Sequence, residues 1–234
     1  MKRHTYRVEL AYDGAAFAGF SPVPNERTVA STFHGALCRL APGFAKLAAG
    51  GRTDRGVSAT GQVVSFIYRD PVDTEAIRSA IDAAAPDALI ALDVRKVSNS
   101  FHAQFSASAR RYVYFWPDDG AIDVARVDRS LAALLGRRSF HAFSRNTPRG
   151  QSPVRLLTDA TARRVEVDGR PFVRFDFSSH GFLRRQLRVL VPTAIRESEI
   201  ADDEALVRIA ESADRRRSAL PADPKGLVLT KVLY

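Results

Sequence analysis

The chain has 234 residues, 45% hydrophobic and 26% charged, a balance that predicts a globular protein with core enough for one large domain or two small ones. No apolar run nears the ~18 residues of a membrane span, and the opening "MKRHTYRVEL" lacks the apolar centre of a signal peptide, so the cytoplasm is the expected compartment. The net charge of +9 favours a polyanionic partner, and with Cys38 as the only cysteine no internal disulfide can form.

"TYRVELAY" alternates, with Tyr6, Val8, Leu10 and Tyr12 on one face, and reads as a strand ended by the Asp13-Gly14 turn. Val29, Phe33, Ala36, Leu37 and Leu40 then recur at helical spacing behind Thr28, a candidate N-cap. A short strand near 44–49 leads into "GGRTDRGVSAT", and "QVVSFIY" is a strand. Asp73 opens a helix carrying Ile77, Ile81 and Ala84, and "ALIALDVRKV" is the next strand. This order, β-α-β-β-α-β, is that of a ferredoxin-like unit.

The second half repeats the order without repeating the sequence. "RRYVYFW" reads as a strand and "VDRSLAALLG" as a helix stopped by Gly136. "ARRVEVDGRPFVRFDF" reads as a hairpin turning at Asp168-Gly169. "FLRRQLRVLV" is a predicted helix, which Pro192 should kink or end early. A further helix is expected over 203–213, and "GLVLTKVLY" is the last strand. The expected fold class is therefore α+β: two ferredoxin-like halves, 1–105 and 106–234, joined into one large, mainly antiparallel sheet with helices on one face and a central cleft.

Thirty of the 35 basic residues are arginine, and the stretch from Arg129 to Thr158 holds six arginines and no acid. Arginine suits bidentate phosphate contacts. Within that stretch, "SFHAFSRNTPRGQSPVR" is too long and polar for a minimal connection, and loops of this kind commonly carry function. Arg137 and Arg138 just before this loop, and Arg145 and Arg149 within it, are the candidate contacts to a polyanion.

The loop at Gly50–Val57 sets Asp54 between Arg52 and Arg55 among three glycines. Glycine permits backbone shapes that present a side chain sharply. Flanking cations favour an ionised carboxylate, suited to nucleophilic or electrostatic work rather than to donating a proton. They disfavour a divalent metal, and no partner acid or spaced histidines stand nearby. Chemistry alone leaves a surface Asp-Arg turn equally open.

"GRTDRGVSATGQVVSF" resembles the signature of the tRNA pseudouridine synthase A family. "LAYDGAAFAGF", "SFHAQFSASARRYVYFW", "FSSHGFLRRQLRVLV" and "PADPKGLVLTKVLY" are similar to further blocks of that family, in the same order and with similar spacing. The resemblance implies a cofactor-free isomerase that detaches uracil from its ribose and rejoins it through carbon 5, in the anticodon stem-loop of tRNA. It also implies a homodimer. By motif position Asp54 is the catalytic carboxylate, attacking either the ring or the sugar. Tyr112 would pack on the target base and is a candidate for moving the carbon-5 proton. Arg188 would pair with Asp54, Arg52 would contact RNA, and Leu227 would lie against the base.

Several positions depart from the family pattern. Arg55 stands where alanine is usual, Ser58 where histidine is, Gln104 for arginine and Pro192 for glycine, and the N-terminal block lacks its tryptophan-glutamine pair. None removes Asp54, Tyr112 or Arg188. The rival reading is a non-catalytic RNA-binding module, since ferredoxin-like units also serve as RNA platforms. A nuclease or glycosidase built on Asp54 would lack partner acids.

Overall fold

A computed structural model describes residues 3–145, 150–200 and 202–234. The fold is α+β, and the chain forms two compact units, one of residues up to 110 with 228–234, the other of 111–227.

The first unit contains β1 (His4–Tyr12), α1 (Val29–Leu40), β2 (Ala45–Ala49), β3 (Ser58–Tyr68), α2 (Thr74–Asp82) and β4 (Leu89–Val97), the predicted order. Tyr6, Val8, Leu10 and Tyr12 are all buried, as the alternation requires. Thr28 caps α1 in a reciprocal capping box with Ser31, and Asp73 caps α2 through the amide of Ala76. Antiparallel β3 pairs with β1, which pairs with β4. Towards its C-terminal end β3 pairs with β2; its first residues, Ser58 and Ala59, pair in parallel with Val228 and Leu229 at the chain's end. The loop that carries Asp54 thus leaves β2 and enters β3 where the last strand also docks. The core beneath is aromatic: Tyr6 stacks on Phe66, and Phe33, Phe44 and Tyr68 surround that pair edge-on or tilted.

The second unit contains most of β5 (Ala109–Pro117), then α3 (Val124–Ala132), β6 (Gly136–Ser139), β7 (Val154–Val167), β8 (Arg170–Ser179), α4 (Gln186–Glu197) and α5 (Ala205–Ser212). The long β7–β8 hairpin turns at Asp168 and Gly169 with φ of 50° and 71°, the left-handed pair that a tight hairpin turn needs. Strand β9 (Leu227–Leu233) closes the chain.

Three details differ from the sequence reading. Helix α3 stops at Ala132, and Gly136, with φ 97°, instead opens β6, whose four residues pair with β7. A stretch as short and polar as "GRRS" carries no alternation to read. Residues 182–185 precede α4 rather than forming its first turn: only Arg184 and Arg185 are in a turn, with Arg185 in the left-handed region at φ 60°. Pro192 does not end α4, which runs five residues past it to Glu197. No helix among the described residues is long and apolar enough to cross a membrane.

Candidate active site

The loop from Gly50 to Val57 is held by short bonds from every side of its base. The Gly50 amide donates to the Val63 carbonyl at 2.7 Å, extending the β2–β3 ladder one residue past its strand. The Gly50 carbonyl accepts from Nε of buried Arg110 at 2.7 Å, and a terminal nitrogen of the same guanidinium donates to the Gln104 carbonyl. Gln62, wholly buried in β3, grips Gly51 twice: its Oε1 accepts from the Gly51 amide at 3.2 Å and its Nε2 donates to the Gly51 carbonyl. A buried amide satisfied on both sides specifies one loop geometry.

Next along the loop, Thr53 is buried, with Oγ1 2.8 Å from the Tyr12 hydroxyl. Burial pushes the Tyr12 phenol up to about 12, the bonds with Thr53 and Gln62 opposing the shift. The Thr53 carbonyl accepts from Phe20, and the Asp54 carbonyl accepts from Val57, closing a turn in which Gly56 has φ 79°. Asp54 is therefore half-buried on a turn whose flanking residues are anchored. Two glycines allow the N-terminal segment to press against this turn. A Cβ on Gly14 would lie 2.3 Å from the Val57 carbonyl carbon, and one on Gly19 would lie 3.0 Å from the Arg55 amide nitrogen.

The two arginines beside Asp54 part company. Arg52 is exposed. Arg55 is ion-paired with Glu26, both at the surface, so it has a partner outside the loop. Glu26 is 29 residues away in sequence, too far for local spacing to reveal the pair.

The second unit holds the other named residues. Tyr112 is buried on β5, its ring edge-on to Phe182 at 5.3 Å. Two residues on, the Tyr114 hydroxyl donates to the Asp223 carbonyl at 2.8 Å; burial raises its phenol to about 12, while the nearby Arg188 charge lowers it. Arg188 sits in the first turn of α4 and donates from Nε to the Ala222 carbonyl at 2.9 Å. Buried Gln186, beside it, accepts from the Leu183 amide. After Asp223 caps a short turn over 224–226, the chain passes Tyr114 so closely that a Cβ on Gly226 would lie 2.8 Å from the ring. Leu227 follows, buried. Within the second unit Arg188 and Tyr114 both bond the segment that leads to Leu227, and Tyr112 packs on Phe182, whereas Asp54 and Arg52 belong to the first.

Of the candidate RNA contacts, Arg145 is exposed and its amide bonds the Arg184 carbonyl at 3.2 Å. Arg149 lies outside the described residues. The guanidinium of Arg215 is held low chiefly by burial and then by the charge of Arg145, so these two cations are neighbours. Burial likewise lowers Arg155. Sequence reasoning missed Tyr12, Gln62 and Arg110 as the scaffold of the Asp54 loop. Gln62 left a signal, a lone amide at the head of the hydrophobic run "QVVSF".

Residues 131–234 match the family model described as tRNA pseudouridine synthase. Curated relatives extend the likeness over nearly the whole chain. The tRNA pseudouridine synthase A of Paracoccus denitrificans is 35% identical, covering 96% of this chain and 94% of its own. Those of Lacticaseibacillus casei and Latilactobacillus sakei are 32% and 31% identical over 98% of this chain, and over 99% and 98% of theirs. The chain belongs to the tRNA pseudouridine synthase A family, and it is an isomerase.

Proposed function

We propose that this protein converts uridine to pseudouridine in the anticodon stem-loop of tRNA, with Asp54 as nucleophile and no cofactor. The bond between N1 of uracil and C1′ of ribose breaks, the ring turns, and a bond from C5 to C1′ forms. C5 loses a proton and N1 gains one, so atoms and electrons balance without any co-reactant. Asp54 attacks either the ring or the sugar, storing the intermediate covalently while the base turns. A base within a stem must first be extruded, at a cost of a few kcal/mol. Tyr112 returns part of that, since stacking on an aromatic ring is worth ~1–3 kcal/mol per base, and it is the candidate to move the C5 proton. Arg188 pairs with Asp54, Leu227 lies against the base, and Arg52, Arg145 and Arg149 contact the RNA. The enzyme acts as a cytoplasmic homodimer.

The observation that carries this reading is the Asp54 turn itself: a lone carboxylate on a loop anchored by Tyr12, Gln62 and Arg110, in a chain of this family. A surface Asp-Arg turn has no use for such a buried scaffold. The test is chemical mapping of pseudouridine in unmodified tRNA treated with the purified protein, because isomerisation leaves mass unchanged. Pseudouridine in the anticodon arm supports the reading. Intact tRNA that is bound but never modified would return the protein to the RNA-binding alternative.

A further inference from the structure

Pro192 occupies the middle of α4 and supplies no amide hydrogen, so the carbonyl of Arg188, four residues back, has no donor at the position where a helix would provide one. That carbonyl accepts instead from the Ala222 amide, at 2.7 Å. The Ala222 carbonyl in turn accepts from Arg188 Nε at 2.9 Å. One peripheral residue is thus joined to Arg188 at both its main chain and its side chain, and the pair of bonds closes a small ring. With Nε committed to a backbone carbonyl, the plane of the guanidinium is set, and its two terminal nitrogens are the ones aimed elsewhere.

The segment bearing Ala222 is itself tied down. The Ala219 amide donates to Thr193 Oγ1 at 3.0 Å, while that hydroxyl donates to the Val189 carbonyl. Arg196 donates to the Arg217 carbonyl, and Tyr114 to that of Asp223. Arg215 folds back on the carbonyls of Ser218 and Ala219. The strap from 217 to 223 therefore crosses α4 along one run of positions, 188, 193 and 196, with the proline among them.

We infer that Pro192 is a positioning residue for the reaction: by withholding a helical donor it releases the Arg188 carbonyl to Ala222, and so clamps the Arg188 guanidinium in the orientation that serves Asp54. The inference rests on the role given to Arg188 above. It assigns a purpose to a residue that should otherwise only weaken its helix, and it makes residues 217–223 part of the active-site scaffold rather than a linker.

The test sets four variants, Pro192→Ala, Ala222→Pro, their double and Arg188→Ala, against the wild type, each measured for single-turnover rate, tRNA affinity and thermal midpoint. Pro192→Ala restores an amide that competes for the Arg188 carbonyl, in a residue that forms helix far better. The expected result is a rate lower by roughly tenfold, since a displacement of about 1 Å at a reacting group can cost up to a hundredfold. Affinity should stay within about twofold and the thermal midpoint should hold or rise. A lost rate with retained or gained stability is not what structural damage produces. Ala222→Pro removes the other end of the same bond without touching α4, and should lower the rate to a similar degree. The double variant should be no slower than the slower single one, because both act through one bond.

Wild-type rates in both Pro192→Ala and Ala222→Pro, alongside an inactive Arg188→Ala, would overturn the positioning role and leave the assignment of Arg188 standing. A fully active Arg188→Ala would overturn both. Should Pro192→Ala fail to fold, Ala222→Pro alone decides between them.

Discussion

The Asp54 turn and the Arg188 strap are built in different ways. The turn is held mainly by neutral groups: backbone amides, the Tyr12 and Thr53 hydroxyls, and the Gln62 amide, with Arg110 donating to the carbonyl of Gly50. The strap adds to such neutral bonds, from Thr193 and Tyr114, the guanidinium groups of Arg188, Arg196 and Arg215 reaching backbone carbonyls. The turn is also close-packed backbone to backbone, at Gly14 and Gly19, whereas the strap is largely half-exposed. The difference follows from what each must present. In the proposed reaction Asp54 acts from a turn whose main chain is fixed at Gly50, Gly51 and Thr53. An arginine can spend one of its donors on its own scaffold and keep others for its partner, since it has five in a rigid fork.

The sharpest way to break the comparison is to neutralise what the turn presents. Asp54→Asn keeps shape and scaffold and loses the attacking charge, so turnover should fall by roughly 10⁴-fold or more, as removal of a nucleophile does elsewhere, while tRNA affinity stays near its wild-type value. Turnover within tenfold of wild type would make Asp54 an ordinary loop acid.

Gly14→Ala attacks the packing instead. Its methyl would lie 2.3 Å from the Val57 backbone, which no side-chain rotation relieves, so a loss of about 2–4 kcal/mol is expected. The midpoint in a urea titration measures it. A loss below ~1 kcal/mol would show that the turn is not close-packed against the N-terminal segment.

Tyr12→Phe probes the neutral network more gently. Leaving Thr53 Oγ1 buried without its hydroxyl partner should cost about 1–2 kcal/mol at neutral pH. The pH dependence has a definite sign. The Tyr12 phenol is raised from 10.0 to about 12 in the folded protein, so the unfolded chain ionises first. Its contribution is full below the unfolded value and is lost as the pH rises through the folded one. The stability gap between wild type and Tyr12→Phe should therefore narrow above pH 10; a gap constant to pH 11 would mean that Tyr12 is not buried beside Thr53.

The smallest effect belongs to the strap's surroundings. Arg145 neighbours Arg215 and carries no role in either scaffold, so Arg145→Ala should weaken tRNA binding modestly. It should reduce the slope of log K against log salt by about one phosphate contact, with the rate at saturation unchanged. An unaltered slope would place the RNA path elsewhere.

Much of this molecule was legible from the sequence because its signals are local. Alternation placed β1, helical spacing with Thr28 and Asp73 placed α1 and α2, and Asp168-Gly169 placed the β7–β8 turn; each depends on residues within a few positions of one another. The glycine-rich turn around Asp54 was readable for the same reason, whereas Arg188 stood out only through the family resemblance. What only the tertiary structure decided are bonds between distant residues. Glu26, 29 positions away, pairs with Arg55. Tyr12 and Gln62 hold the Asp54 turn from β1 and β3. Pro192, which by local rules should end its helix, instead sits in a helix whose released carbonyl bonds an amide 34 positions further on. A proline's missing donor is a local fact, but the partner that takes up the freed acceptor is chosen by whatever segment folds against it.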